Sequence, residues 1–137
     1  MLRIREVCYQ LMVQDAFSRL PKEACGILSG KGEVAESFFA MKNTDDSPVS
    51  YLMDPKEQFH VMKHIREREE EMLVIYHSHV ASPAVPSAKD VQLAFYPNVY
   101  YLLISLADRT HPVAKAYRIR EGKVTEHPFE TVPQGSS

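Results

Sequence analysis

Four side chains between residues 75 and 90 have the types and the spacing to do chemistry. His77 and His79 follow the apolar, β-branched run Met72-Leu73-Val74-Ile75-Tyr76. A short apolar run bounded by charges predicts a buried strand. Alternate strand residues share a face, so both imidazoles point the same way. A loop stiffened by Pro83 and Pro86 then reaches Ser87-Ala88-Lys89-Asp90 and a second apolar run, Val91–Phe95. Ser87 is placed to cap a short helix there, with Asp90 in its first turn. Two imidazoles and a carboxylate converging on one point are the ligand set of a catalytic zinc, one ion per chain, with its fourth position open. Packing accounts for the pattern poorly, because two imidazoles side by side on a buried face each need a polar partner.

A zinc hydrolase also needs a group that takes a proton from water and hands it to the leaving group. Glu23 is the candidate, standing at the head of an expected strand, Glu23–Gly30. An ordinary exposed strand-end glutamate fits the same spacing, and spacing leaves both readings open. Ser87 likewise has two compatible readings, as helix cap and as a donor, through its N–H or hydroxyl, to an oxyanion beside the metal. His60 and His64 lie four apart on an expected helix, but Val61 stands where the zincin pattern needs glutamate, so they read as partly exposed helix residues. Cys8 and Cys25 are too few and too distant for a zinc knuckle and read as buried thiols. Gly26 and Gly30 make no phosphate loop, and His111 and His127 belong to no partner pattern.

The elements that must position these residues belong to one domain over residues 1–130. The chain has 137 residues, 45% hydrophobic and 25% charged, enough for a core without staples. A net charge of −2 argues against a nucleic-acid partner. No run approaches a membrane span and no signal-like core opens the chain, so a soluble cytoplasmic protein is expected.

Residues 5–20 predict a helix with Val7, Leu11, Phe17 and Leu20 in its apolar stripe and Cys8, Met12 and Ala16 beside them, ended by Pro21. A strand over 23–30, a turn at Gly30-Lys31-Gly32, a strand over 34–43 and a short strand over 49–53 follow. Asp54-Pro55-Lys56-Glu57 opens a helix whose apolar face is Phe59, Met62 and Ile65, closed by the charge run 66–71. Val99–Leu106 reads as a central strand buried on both faces. Residues 112–120 and 123–129 form a hairpin about Glu121-Gly122, and 131–137 are expected to fray. The sum is an α+β domain, a central mixed sheet flanked by helices.

Pro21-x-Glu23-x-x-Gly26-x-Leu28-x-Gly30 and His77-Ser78-His79-(seven residues)-Ser87-x-x-Asp90 together resemble the JAMM (MPN+) zinc metalloproteases over essentially the whole chain. The resemblance implies a cytidine-deaminase-like fold, His77, His79 and Asp90 as zinc ligands, Glu23 as general acid/base and Ser87 steadying the tetrahedral intermediate. Val80 stands where the family usually has proline, a position that is not a ligand. The near-minimal length resembles the stand-alone prokaryotic branch, which implies a peptidase or isopeptidase acting at the C-terminus of a small ubiquitin-like sulfur-carrier protein. Two alternatives stay open, a non-catalytic scaffold of the same fold and a zinc amidohydrolase acting on small or cell-wall peptides. The oligomeric state is open as well.

Overall fold

The structure is a computed structural model that describes residues 1–133. The elements run β1 (Leu2–Arg5), α1 (Glu6–Ser18), β2 (Cys25–Lys31), β3 (Val34–Met41), α2 (Pro55–Glu67), β4 (Glu71–His79), α3 (Ala88–Gln92), β5 (Tyr100–Ser105), β6 (Val113–Arg120), β7 (Lys123–His127) and β8 (Phe129–Val132). All eight strands form one mixed sheet in the order β7-β6-β5-β4-β2-β3-β1-β8. β4 and β5 are parallel, as are β1 with β3 and with β8, while the remaining pairs are antiparallel. Strands β7 and β8 occupy opposite edges, yet only Pro128 separates them. The two edges must therefore approach each other, and the sheet is curled.

Alternation along the strands divides the interior into two cores. On one face Leu28, Val74, Tyr76, Leu102 and Ile104 meet Cys8, Met12 and Ala16 of α1. On the other, Ile27, Ile75, Tyr101, Leu103 and Tyr117 meet Ile65 of α2 and Val91 of α3. β5 is buried at every position, as its continuous apolar sequence predicts. Among the described residues no helix is long and apolar enough to cross a membrane.

Several expected details shift. The chain opens with β1, which takes Arg5 from the expected helix, and Thr131 and Val132 close β8 instead of fraying; residues 134–137 of the expected tail lie outside the described residues. Both short strands owe their order to pairing with each other, a long-range contact that four residues of local sequence cannot announce. Residues 49–53 form no strand, only a bridge from Met53 to Asn43. The first turn is Gly32-Glu33, both at positive φ, so β2 continues through Gly30 and Lys31. Val7, Leu11 and Phe59 are exposed, because the buried ridges are Cys8–Met12–Ala16 and Val61–Ile65, four residues apart on each helix.

Gly30 lies where β2 bends beside β3, and a Cβ there would sit 1.8 Å from the Val34 carbonyl oxygen. Backbone cannot yield as a flexible side chain can. Gly30→Ala is therefore expected to cost at least about 3 kcal/mol, the upper end of ordinary overpacking, read by denaturant unfolding.

Candidate metal centre

The site is assembled by the register of β2 against β4. Cys25 pairs with His77 and Gly26 with Tyr76. The pairing continues past the end of β2, where the Ser78 N–H donates to the Ala24 carbonyl at 3.0 Å and the Ala24 N–H donates to Ser78 Oγ at 2.8 Å. One further step places Glu23 opposite His79. Directly opposed antiparallel residues share a face, so Glu23, Cys25, His77 and His79 all lie on the α2/α3 side.

Asp90 arrives from α3. Ser87 caps that helix in a reciprocal box: Ser87 Oγ accepts from the Asp90 N–H at 3.1 Å, and the Ser87 N–H donates to Asp90 Oδ2 at 2.8 Å. The loop between β4 and α3 is pinned by three bonds. Ser105 Oγ donates to the Ser82 carbonyl at 2.7 Å, Tyr117 Oη to the Ala84 carbonyl at 2.5 Å and Arg109 to the Val80 carbonyl at 3.2 Å.

His77 Nε2 lies 3.3 Å from His79 Nε2 and 3.2 Å from Asp90 Oδ1, and His79 Nε2 lies 3.0 Å from Asp90 Oδ2. With ligand bonds of about 2.0–2.1 Å, the edges of a tetrahedral zinc site measure about 3.3 Å. The His79 tautomer points the same way. His79 Nδ1 lies 2.8 Å from the Pro83 carbonyl, which only accepts, so Nδ1 carries the hydrogen. In a neutral ring the Nε2 lone pair then faces a carboxylate oxygen and another imidazole nitrogen. Three potential ligand atoms within 3.3 Å of one another fit a cation, and His77, His79 and Asp90 form the group among the described residues able to hold a metal. The Pro83 carbonyl is the outer partner that orients a ligating imidazole.

The two carboxylates are treated oppositely. Burial alone would raise the Asp90 carboxyl, but in the metal-free protein His77 and His79, when protonated, donate to it and the Ser87 N–H adds a third bond; together they outweigh burial and hold the group well below the usual carboxylate range. Glu23 is 4% exposed, and its Oε1 has no hydrogen-bond partner. Burial pushes its carboxyl up to about 7, with the His79 charge opposing and Asp90 adding to the shift. Burial lowers His77, which is fully enclosed. His79 is lowered by burial but raised overall by its bonds to Asp90 and Pro83. A cleft of about 200 Å³ joins Glu23 to His79 and Ser87, walled by Val49 and Ala81.

Of the five residues singled out in the sequence, Glu23, His79 and Ser87 line this cleft, and His77 and Asp90 each lie within 3.3 Å of His79 Nε2. His60 and His64 remain exposed on α2, away from it. Three supporting residues were given no role by the sequence. Tyr51 stacks on the His77 ring with centroids 4.4 Å apart. Buried Asn43 donates to the Glu23 and Ser50 carbonyls and accepts from the Asp45 and Leu52 N–H groups, tying the loop over 44–52 to the backbone of Glu23. Ser78 was legible only as a polar residue on the buried face opposite the histidines.

The comparisons with known proteins agree with this geometry. A family model described as prokaryotic homologs of the JAB domain matches residues 5–120. The CysO-cysteine peptidase of Mycobacterium tuberculosis is 39% identical over 135 residues, covering 97% of this chain and 92% of that protein. A probable TtuB-protein conjugate cleaving protease of Thermus thermophilus is 37% identical over 75 residues, 54% of this chain and 50% of its own length. The solution structure of protein DSY2949 from Desulfitobacterium hafniense is 38% identical, covers 99% of this chain and 94% of that one, and superposes with a TM-score of 0.86. The chain thus belongs to the prokaryotic JAB-domain family and is a zinc metalloprotease of the JAMM/MPN class, related to the CysO-cysteine peptidase branch.

Proposed function

We propose that the protein hydrolyses a peptide or isopeptide bond at the C-terminus of a small ubiquitin-like, sulfur-carrier protein, with Glu23 as general acid/base and His77, His79 and Asp90 as ligands of one zinc ion. The observation that carries the reading is that Glu23 and His79, on the same face of the sheet, line one narrow cleft. The names of the relatives, a CysO-cysteine peptidase and a TtuB-conjugate cleaving protease, supply the substrate class. The cleft is smaller than the roughly 300–1,000 Å³ of small-molecule pockets, which favours a slender extended chain.

Zinc, when bound, supplies Lewis acidity and a water that loses its proton near neutral pH. The remaining steps belong to the chain's own residues. Glu23, with an unpartnered oxygen facing the cleft side of the sheet, takes the water's proton and later gives it to the departing amine nitrogen. Its raised proton affinity suits both transfers near neutral pH. The Ser87 N–H is already committed to Asp90, so the hydroxyl is the donor left for the carbonyl oxygen as it becomes tetrahedral. Asp90 is held by the same Ser87, so helix capping and site assembly are one set of bonds. A scaffold of this fold would have no use for three ligands kept within bonding geometry.

Zinc-loaded enzyme mixed with a ubiquitin-like carrier bearing a C-terminal cysteine is expected to release that cysteine, read by intact mass. Uncut carrier would refute the substrate class. Glu23→Gln is expected to keep its zinc and lose about 10²- to 10⁴-fold in kcat/KM; full activity would exclude the acid/base role. His77→Ala combined with His79→Ala should abolish zinc binding by elemental analysis, and retained stoichiometric zinc would exclude the ligand assignment. Stability of the metal-free protein supplies a further check. The folded Glu23 carboxyl titrates above its ordinary value, 4.5 moving to about 7, so its stabilising share is complete below pH 4.5 and lost as pH rises to 7. Glu23→Gln removes that loss and should make the metal-free protein up to about 3 kcal/mol more stable than the parent at pH 8.

A further inference from the structure

The hairpin at the far edge of the sheet sorts its charges by face. Arg118 lies opposite Thr125, Arg120 opposite Lys123 and Ala116 opposite His127. Opposed residues share a face and neighbours alternate, so Arg118, Arg120, Lys123, Thr125 and His127 look one way. Glu126, the acid within the two strands, pairs with Tyr117 and looks the other way. Arg120 and Lys123 are thus like charges set directly across a ladder, an arrangement that destabilises a hairpin. A chain with a net charge of −2 does not place them together through a general excess of bases. Among the described residues neither has an ion-pair partner.

These side chains surround a hollow of about 350 Å³ whose floor is the nearly buried Tyr100. The Arg118 guanidinium lies 4.2 Å from the Tyr100 ring centroid, and His127 meets the same ring edge-on at 5.8 Å. The Arg120 Nε–H donates to the Pro97 carbonyl at 2.9 Å, which holds its guanidinium at the rim. Glu33 is the neighbouring acid. It accepts from Tyr100 Oη at 2.6 Å and lies 3.8 Å from Arg118 and 3.6 Å from the terminal amine, so it is already shared among three groups. Arg120 and Lys123 are left uncompensated.

We propose that this hollow is a binding site for a phosphoryl group, as inorganic phosphate or a small phosphate monoester, separate from the metal centre. Planar guanidinium groups match phosphate oxygens two at a time, Lys123 supplies a point charge and Thr125 a hydroxyl. The volume falls in the small-molecule range and exceeds what a bare phosphoryl group fills. Tyr100 aligns with Val74 and Ser105 with His79 in the β4–β5 ladder, so the hollow lies about 17 Å along the strands from the zinc ligands. It also lies on the α1 face, opposite theirs. The site therefore does not depend on the peptidase reading.

The zinc-loaded protein is titrated with inorganic phosphate and, separately, with AMP, followed by calorimetry and amide chemical shifts. Saturable binding with shifts centred on Tyr100 and residues 118–127 is expected. Affinity should fall about tenfold or more in Arg120→Gln and in Lys123→Gln, each removing a charged donor. Both positions are exposed, so the circular dichroism spectrum and peptidase rate of these variants should match the parent. Tighter binding of AMP identifies a monoester, and equal binding identifies the free anion. Absence of saturable binding overturns the site. So does binding that shifts His77, His79 and Ser87, survives Lys123→Gln and disappears in His79→Ala, which would place the anion at the metal centre.

Discussion

The centre exists because β2 and β4 hold a single register from Cys25 to Leu28, the stretch that leads into the site. With Cys25 opposite His77, the step to Glu23 opposite His79 follows from the period of two, and a slip by one residue would turn Glu23 to the α1 side while the histidines stayed where they are. Two features hold the register. Beyond the last regular pair, Ala24 and Ser78 exchange two hydrogen bonds, one to the serine hydroxyl. At Gly26 the strands approach so closely that a Cβ would lie 2.7 Å from both the Phe39 carbonyl oxygen and the Tyr76 ring. Tyr76 is itself anchored on the α1 side by a hydrogen bond from its hydroxyl to Asp15. A larger residue at 26 would press against the strand that carries the histidines.

Given that register, the division of labour between two carboxyl groups follows from what surrounds each. Asp90 receives a backbone N–H and faces two imidazoles, so its ionised form is the favoured one. Glu23 is as deeply enclosed, yet one of its oxygens has no donor at all, so its neutral form is favoured. In the proposed reaction, environments that push two nearby acids apart would leave one to bind and the other to carry protons. Cys25 lies on the same face but is pushed up to about 12 by burial, which leaves it a packing residue and not a nucleophile.

Legibility in the sequence tracked the range of the interactions. His77, His79, Ser87 and Asp90 sit within fourteen residues, and strand alternation with a capping box brings them together by local rules, so spacing alone pointed to the His77, His79 and Asp90 cluster and to Ser87 as a helix cap. Glu23 was locally ambiguous because its role depends on a pairing across fifty-four residues; the family pattern, not spacing, singled it out. Asn43 and Tyr51 left no trace, since an asparagine that closes a loop and a tyrosine that stacks on an imidazole look like any other in the chain. The same limit explains the missed β1 and β8, which pair with each other across the whole length of the chain. Phe59 misled for another reason: a large apolar side chain was assigned to the core by type, although Val61 and Ile65 set the buried face.

Val80 shows how a departure from a family pattern can be absorbed. A proline directly after the second histidine stiffens the exit from β4 by fixing one backbone angle. Here the exit is fixed from outside: Arg109 grips the Val80 carbonyl, Ser105 the Ser82 carbonyl and Tyr117 the Ala84 carbonyl, while buried Ala84 seats the loop against the α2/α3 core. The Arg109 guanidinium also binds the Leu106 carbonyl, so the loop and the end of β5 move as one. What the His77, His79 and Asp90 cluster requires of this segment is the position of the Pro83 carbonyl, because that oxygen sets the His79 tautomer. Three bonds from β5, β6 and the turn after β5 place it without help from the side chain of residue 80. The role of a proline has passed to side chains that the sequence keeps more than twenty residues away.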